Sequence, residues 1–302
     1  MSLAGQTTRR DHITRGIAFM VAASLMFSIT NAMVKWEVGL YPIGEVAFLR
    51  TICGFTTLCA IFLPRTGFGV FRTHRPFAHM KRAASQFTSM FCMMMALSMM
   101  PLADATAIGF TAPLFTTLLS IVILKDRVGI HRWSALIVGF AGVLLMTRPG
   151  HDGLQIGAIY ALVNAVMIST VAIAIRRMSM TESTETLTLC QMGLITLMTL
   201  ALLPFGWTTP AWADFGLLAI AGVGNGIAQF WWTKALHIAP PSAVVPFQYL
   251  SLVWTGSIGF AVWGDLPTWS VVGGAVIVVA SGLYILWRET VRRGQSTPRA
   301  AN

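Results

Sequence analysis

A chain of 302 residues with 55% hydrophobic and only 11% charged side chains lies well outside the composition of soluble domains, where about 25% of residues are charged. The net charge of +10 would suit nucleic acid, but its placement along the chain argues for membrane topology instead, and no nucleic-acid partner is expected. Cys53, Cys59, Cys92 and Cys190 show neither metal-ligand spacing nor a disulfide framework. No metal or cofactor is expected, and the thiols read as small packing groups.

Apolar runs of about 18–23 residues, the length that spans a bilayer, occur ten times. The predicted spans are 16–34, 43–63, 80–100, 103–124, 132–148, 156–175, 185–204, 213–233, 242–263 and 269–287. A polar tail, 1–15, precedes the first span, which is too long for a cleaved signal peptide. Span 2 carries two ionisable groups, Glu45 and Arg50. Glu45 falls near the outer interface and is expected to reach water. Arg50 lies deeper and is a candidate for a substrate carboxylate or for a brace on backbone carbonyls. The connection 65–79, with Arg72, His74 and Arg75, is expected to lie along anionic headgroups.

Span 4 contains Phe110 and is interrupted by Pro113, and span 9 is interrupted by Pro246. Proline removes a backbone bond, and broken helices border the binding site in many carriers, so both prolines are candidate hinges. Residues 151–156 form an outer linker. Beyond it, Asn164 in span 6, Asn225 and Gln229 in span 8 and Gln248 in span 9 are amides at span centres. Each can donate and accept, which suits a zwitterion; Asn225 and Gln229 share a helix face at i, i+4 spacing. Phe27, Phe110, Tyr249 and Trp254 lie inside spans rather than at the interfaces where aromatics anchor, and they suggest an aromatic-lined cavity. Gly139 and Gly142 in span 5, with Gly273, Gly274 and Gly282 in span 10, permit close helix packing. They mark a scaffold and a candidate homodimer seam. A second tail occupies 288–302.

The chain repeats itself. Gly16-Ile17-Ala18-Phe19 aligns with Gly157-Ala158-Ile159-Tyr160, an offset of 141; Ala96-Leu97 aligns with Ala235-Leu236, and Asp126 with Asp265, an offset of 139. Two five-span halves, 16–150 and 157–287, must lie inverted, because five is odd. Inverted repeats build a midplane site reachable from either side. With the N-terminus placed in the cytoplasm, all of the 21 basic residues but Lys35, Arg50 and Arg148 fall inside or at the inner span ends. That asymmetry puts both termini in the cytoplasm.

Residues Ala96 to Ala107, then Phe110-Thr111-Ala112-Pro113-Leu114-Phe115, Lys125-Asp126-Arg127, Trp133 and Gly139 resemble the drug/metabolite transporter superfamily, most closely its EamA-type branch. The second half repeats the pattern from Ala235-Leu236 to Pro246, Gly264-Asp265 and Gly282, with aspartate where the family usually has glutamate. The resemblance implies an all-α integral membrane protein of ten helices, two inverted five-helix repeats around a central cavity, in a bacterial inner membrane. It implies a carrier of small metabolites by alternating access. Amino-acid export, of aromatic or neutral substrates, is the favoured reading, with riboflavin and S-adenosylmethionine carriers as alternatives. No G-x-x-x-x-G-K-[ST] loop occurs, so nothing points to ATP. An integral-membrane enzyme would need a nucleophile–base or metal constellation; the six histidines lie in tails, loops or span ends, and no enzyme is expected. A channel would need charge rings or a filter repeat, and neither occurs.

Overall fold

The structure is a computed structural model that describes residues 3–73, 75–124, 130–147, 156–239, 244 and 247–295. Those residues are helical throughout, joined by short connections and two 3-10 turns. The helices are α1 (Leu3–Glu37), α2 (Ile43–Thr66), α3 (Pro76–Met99), α4 (Leu102–Gly109), α5 (Ala112–Leu124) and α6 (Ile130–Thr147). They continue as α7 (Ile156–Met178), α8 (Thr184–Leu200), α9 (Trp212–Ile238), α10 (Leu250–Trp263) and α11 (Trp269–Gln295). Among the described residues, five stretches are long and apolar enough to cross a membrane: 13–37, 43–66, 102–119, 156–175 and 184–205. Helices α3 and α9 are not among these. Their polar residues lower the hydropathy, and those same residues build much of the candidate site.

The termini differ from expectation. Residues 3–15 continue α1, and 288–295 continue α11, where polar tails were predicted. A polar segment adjoining a formed helix adds one hydrogen bond per residue without a new nucleus. Span 4 divides into α4 and α5 at Phe110-Thr111. Pro113 sits in the first turn of α5, where its missing N–H costs no intrahelical bond, so the break lies just ahead of the proline. Pro246, Asp126 and the linker residues 151–155 lie outside the described residues.

The packing is symmetric under exchange of the halves. Helix α1 packs on α9, and its counterpart α7 packs on α3; α2 packs on α9 as α8 does on α3; α1 meets α10 as α7 meets α4 and α5. The pairs α2–α8 and α6–α11 map onto themselves. The glycines expected at a dimer seam are used inside the chain. A Cβ on Gly142 would lie 2.9 Å from the Gly274 carbonyl oxygen, and one on Gly139 would meet Leu114 and Ser281. On the outward faces of α6 and α11, Ile137, Leu144 and Val276 are exposed.

Candidate functional site

Arg50 is the centre of one polar group. It points from α2 into the α1–α2–α9 junction, 6% exposed. Its Nη2 donates to Asn225 Oδ1 at 2.6 Å and to Asn31 Oδ1 at 3.3 Å. Helix packing makes that reach available. A Cβ on Gly222 would fall 2.6 Å from the Arg50 carbonyl oxygen, and one on Gly226 would fall 2.9 Å from that of Gly54; only glycine lets the α2 and α9 backbones come this close. Among the described residues no carboxylate pairs with Arg50, and its Nε has no partner. Gln229, one turn beyond Asn225, is buried with its Nε2 unpaired.

A second group gathers around Asn164 on α7. Ser89 Oγ on α3 donates to Asn164 Oδ1 at 2.6 Å, and Asn164 Nδ2 approaches Met93 Sδ at 3.8 Å. The same Nδ2 lies 3.6 Å from the Cβ position of Gly109, the last residue of α4. The next residue, Phe110, stacks against Tyr249 with ring centroids 5.0 Å apart and planes tilted by 47°. Both aromatics stand at helix discontinuities: Phe110 between α4 and α5, Tyr249 immediately before α10. Their numbers differ by 139, the offset that aligns Ala96 with Ala235, so the two rings are counterparts in the two halves. The Tyr249 hydroxyl has no hydrogen-bond partner and abuts Gly282, where a larger residue would displace it.

The other predicted residues are more dispersed. Phe27 packs in a hydrophobic cluster with Met20, Val171 and Trp232. Trp254 is half-buried with its indole nitrogen unpaired, and Gln248 is half-buried. Glu45 does not reach water: it is fully buried, and its Oε2 accepts the Thr208 N–H at 2.8 Å. The non-helical 206–211 segment folds over the start of α2, where a carboxylate also complements the helix dipole. Arg82 does not lie free among the inner-surface charges either. It is buried, its Nη1 donating to the Leu187 carbonyl at 2.9 Å and its Nη2 to Gln191 Oε1.

Several polar residues were missed by sequence reasoning. Asn31 falls three residues from the end of the first predicted span, so a search for amides at span centres passes over it. His79, Arg82, Gln86 and Ser89 follow one face of α3 at i, i+3, i+7 and i+10, a helical period; proximity to the span end hid the first two. At the opposite end of α1, Lys35 Nζ pairs with Asp265 Oδ2 at 3.0 Å and lies 4.8 Å from the Trp263 ring centre. Gly264, at φ +71°, makes the left-handed turn that ends α10 and presents Asp265; glycine alone takes this conformation without cost. Nearby, Tyr41 donates its hydroxyl to Asp214 at 2.6 Å, and the carboxylate raises the phenol's pKa above its ordinary value. No group of three or more metal-ligating side chains forms among the described residues.

Membrane-length helices, exchange-symmetric packing and a buried cation bonded to two amides are features of a membrane transporter. Residues 14–148 and again 155–287 match the EamA-like transporter family, and the chain belongs to that family. It is 27% identical over 274 residues to the S-adenosylmethionine uptake transporter of Rickettsia prowazekii, covering 91% of this chain and 93% of that one. To the riboflavin transporter of Rhizobium johnstonii it is 29% identical over 282 residues, 92% of each chain. The pseudopaline exporter of Pseudomonas aeruginosa is 27% identical over 273 residues, 89% of this chain and 95% of that one. A crystal structure aligns with a TM-score of 0.66 at 21% identity, over 94% of this chain and 99% of the other, a likeness of fold.

Proposed function

We propose that the chain is a ten-span secondary carrier of small carboxylate-bearing metabolites, amino acids first, working by alternating access between inverted halves 16–150 and 157–287. Both termini are cytoplasmic, in a bacterial inner membrane. The observation that carries the substrate reading is Arg50: a buried guanidinium bonded to two neutral amides and, among the described residues, to no carboxylate. A buried charge is costly unless paired, and a substrate carboxylate supplies the missing partner through a bidentate bond. Asn225, Gln229, Asn164 and Gln248 offer donors and acceptors for an ammonium or hydroxyl group. The Phe110–Tyr249 pair favours a substrate with a flat aromatic part. The helix breaks beside Pro113 and near Pro246 are the hinges in this reading.

S-adenosylmethionine is the second reading. It joins an amino-acid carboxylate to a flat adenine, and the Rickettsia relative is named for its uptake. Riboflavin has the flat ring system without a carboxylate, so Arg50 favours it less. The relatives' names include both uptake and export, and direction must be measured. Purified protein in liposomes, assayed for influx and efflux of phenylalanine, leucine, S-adenosylmethionine and riboflavin, tests the proposal. Saturable flux of an amino acid supports it; saturable flux of riboflavin alone overturns the carboxylate reading, and non-saturating flux overturns the carrier.

A further inference from the structure

Away from the polar site, a crevice of about 580 Å³ opens between α2 and α8. It falls within the roughly 300–1,000 Å³ of small-ligand sites, yet its walls are almost wholly apolar. Phe48, Ile52 and Phe55 of α2 face Leu189, Gly193 and Leu197 of α8. On α8 the lining runs from Leu189 to Leu200, about 17 Å at a rise of ~1.5 Å per residue. One leaflet of a ~30 Å hydrocarbon core is about 15 Å deep. The crevice has the length of one acyl chain.

One end differs from the rest. Thr73, Pro76 and His79 line it, and the His79 ring is 2% exposed with neither nitrogen hydrogen-bonded. Around this end, Arg65, Arg72, Arg75 and Lys81 are exposed, as are Phe68 and Phe77. Lys81 Nζ lies 4.6 Å from the Phe77 ring centre. Two acidic residues, Glu182 and Glu185, stand at this end, at the start of α8; Glu182 accepts the Thr73 hydroxyl at 2.6 Å and approaches His79 at 3.9 Å. Four exposed cations against these two carboxylates, one of them engaged, leave a net positive rim. Exposed cations and aromatics at the end of an apolar groove match a headgroup layer above a tail.

We propose that the crevice is a binding site for one anionic phospholipid, with an acyl chain between α2 and α8, the ester region at His79 and the phosphate against Arg72 and Arg75. The apolar walls select a tail, and the cationic rim selects the headgroup charge. The site is separate from Arg50 and does not depend on which metabolite is carried.

Native mass spectrometry of the full chain, released from bicelles with equal phosphatidylglycerol and phosphatidylethanolamine, tests this. The parent should retain one phosphatidylglycerol per chain, at least tenfold over phosphatidylethanolamine. Leu197→Trp, which fills the crevice, should lose that lipid. The double variant Arg72→Glu/Arg75→Glu changes only exposed loop charges; it should still retain a lipid but without headgroup preference. Equal retention of the two lipids by the parent overturns the proposal. So does unchanged phosphatidylglycerol retention in Leu197→Trp, or unchanged preference in the charge-reversed variant. If Leu197→Trp fails to fold, the charge-reversed variant decides. Transport is not part of the readout, so the result stands apart from the carrier reading.

Discussion

Replacing Arg50 by lysine keeps the charge and removes the geometry. In the structure, one guanidinium nitrogen reaches Asn225 at 2.6 Å and Asn31 at 3.3 Å, while Nε is unpaired. A lysine ammonium is a point donor on a different stem and cannot present two parallel N–H bonds to a carboxylate. A hydrogen bond to a charged group contributes about 1.5–3 kcal/mol. At about 1.4 kcal/mol per factor of ten, losing one such bond weakens carboxylate binding by about 10- to 100-fold. A neutral interhelical hydrogen bond in a membrane averages ~0.6 kcal/mol, a factor of about three. Counterflow in liposomes separates the two roles. Arg50→Lys should raise the apparent Kd for the carboxylate substrate at least tenfold, and that for its decarboxylated analogue less than about threefold. Equal losses for both ligands, with a lower Tm in detergent, would mean that Arg50 braces the helices and holds no substrate.

Three further outcomes follow from the geometry. Gly222→Ala should destabilise the protein by about 1–3 kcal/mol, as overpacking does, because its Cβ would lie 2.6 Å from the Arg50 carbonyl oxygen. Gly216→Ala has nothing within 4 Å and should be neutral or stabilising by up to about 1 kcal/mol; thermal denaturation in detergent compares the two. Asn225→Ala and Gln229→Ala should each reduce flux while membrane abundance on immunoblots stays unchanged, and parental transport by both would remove the α9 face from the site. Reporter fusions after residue 302 and within 149–155 should report opposite sides of the membrane; the same side for both would refute the ten-span topology.

The helices were legible because a membrane span is written as a long apolar run, and α2, α7 and α8 follow the predicted segments closely. The amides were legible as single polar residues in such runs. Less legible was anything set by a distant partner. Glu45 is near a span end, and only the 206–211 segment folding over it makes it buried. Arg82 carries the same charge as Lys81 beside it, yet one is buried and the other exposed; helical phase against α8 decides which. Phe110 and Tyr249 were separate candidates in the sequence. Their meeting requires both broken helices to come together, which no local pattern encodes.

The exchange symmetry of the packing also constrains energetics. Position 50 in the first half corresponds, at an offset of 141, to position 191 in the second. The first seat joins Arg50 on α2 to an amide on α9; the second joins Gln191 on α8 to Arg82 on α3. A cation–amide bond thus occurs at both counterpart positions, with the cation at position 50 and the amide at position 191. A carrier whose halves trade shapes would be a level balance if the halves were identical. Here the two pans hold different weights: one cation leans on the neutral amide of Asn31, the other on the carbonyl of Leu187. In the alternating-access carrier proposed above, the resting tilt would be set by those few side chains, and exchanging their identities between the halves should move it.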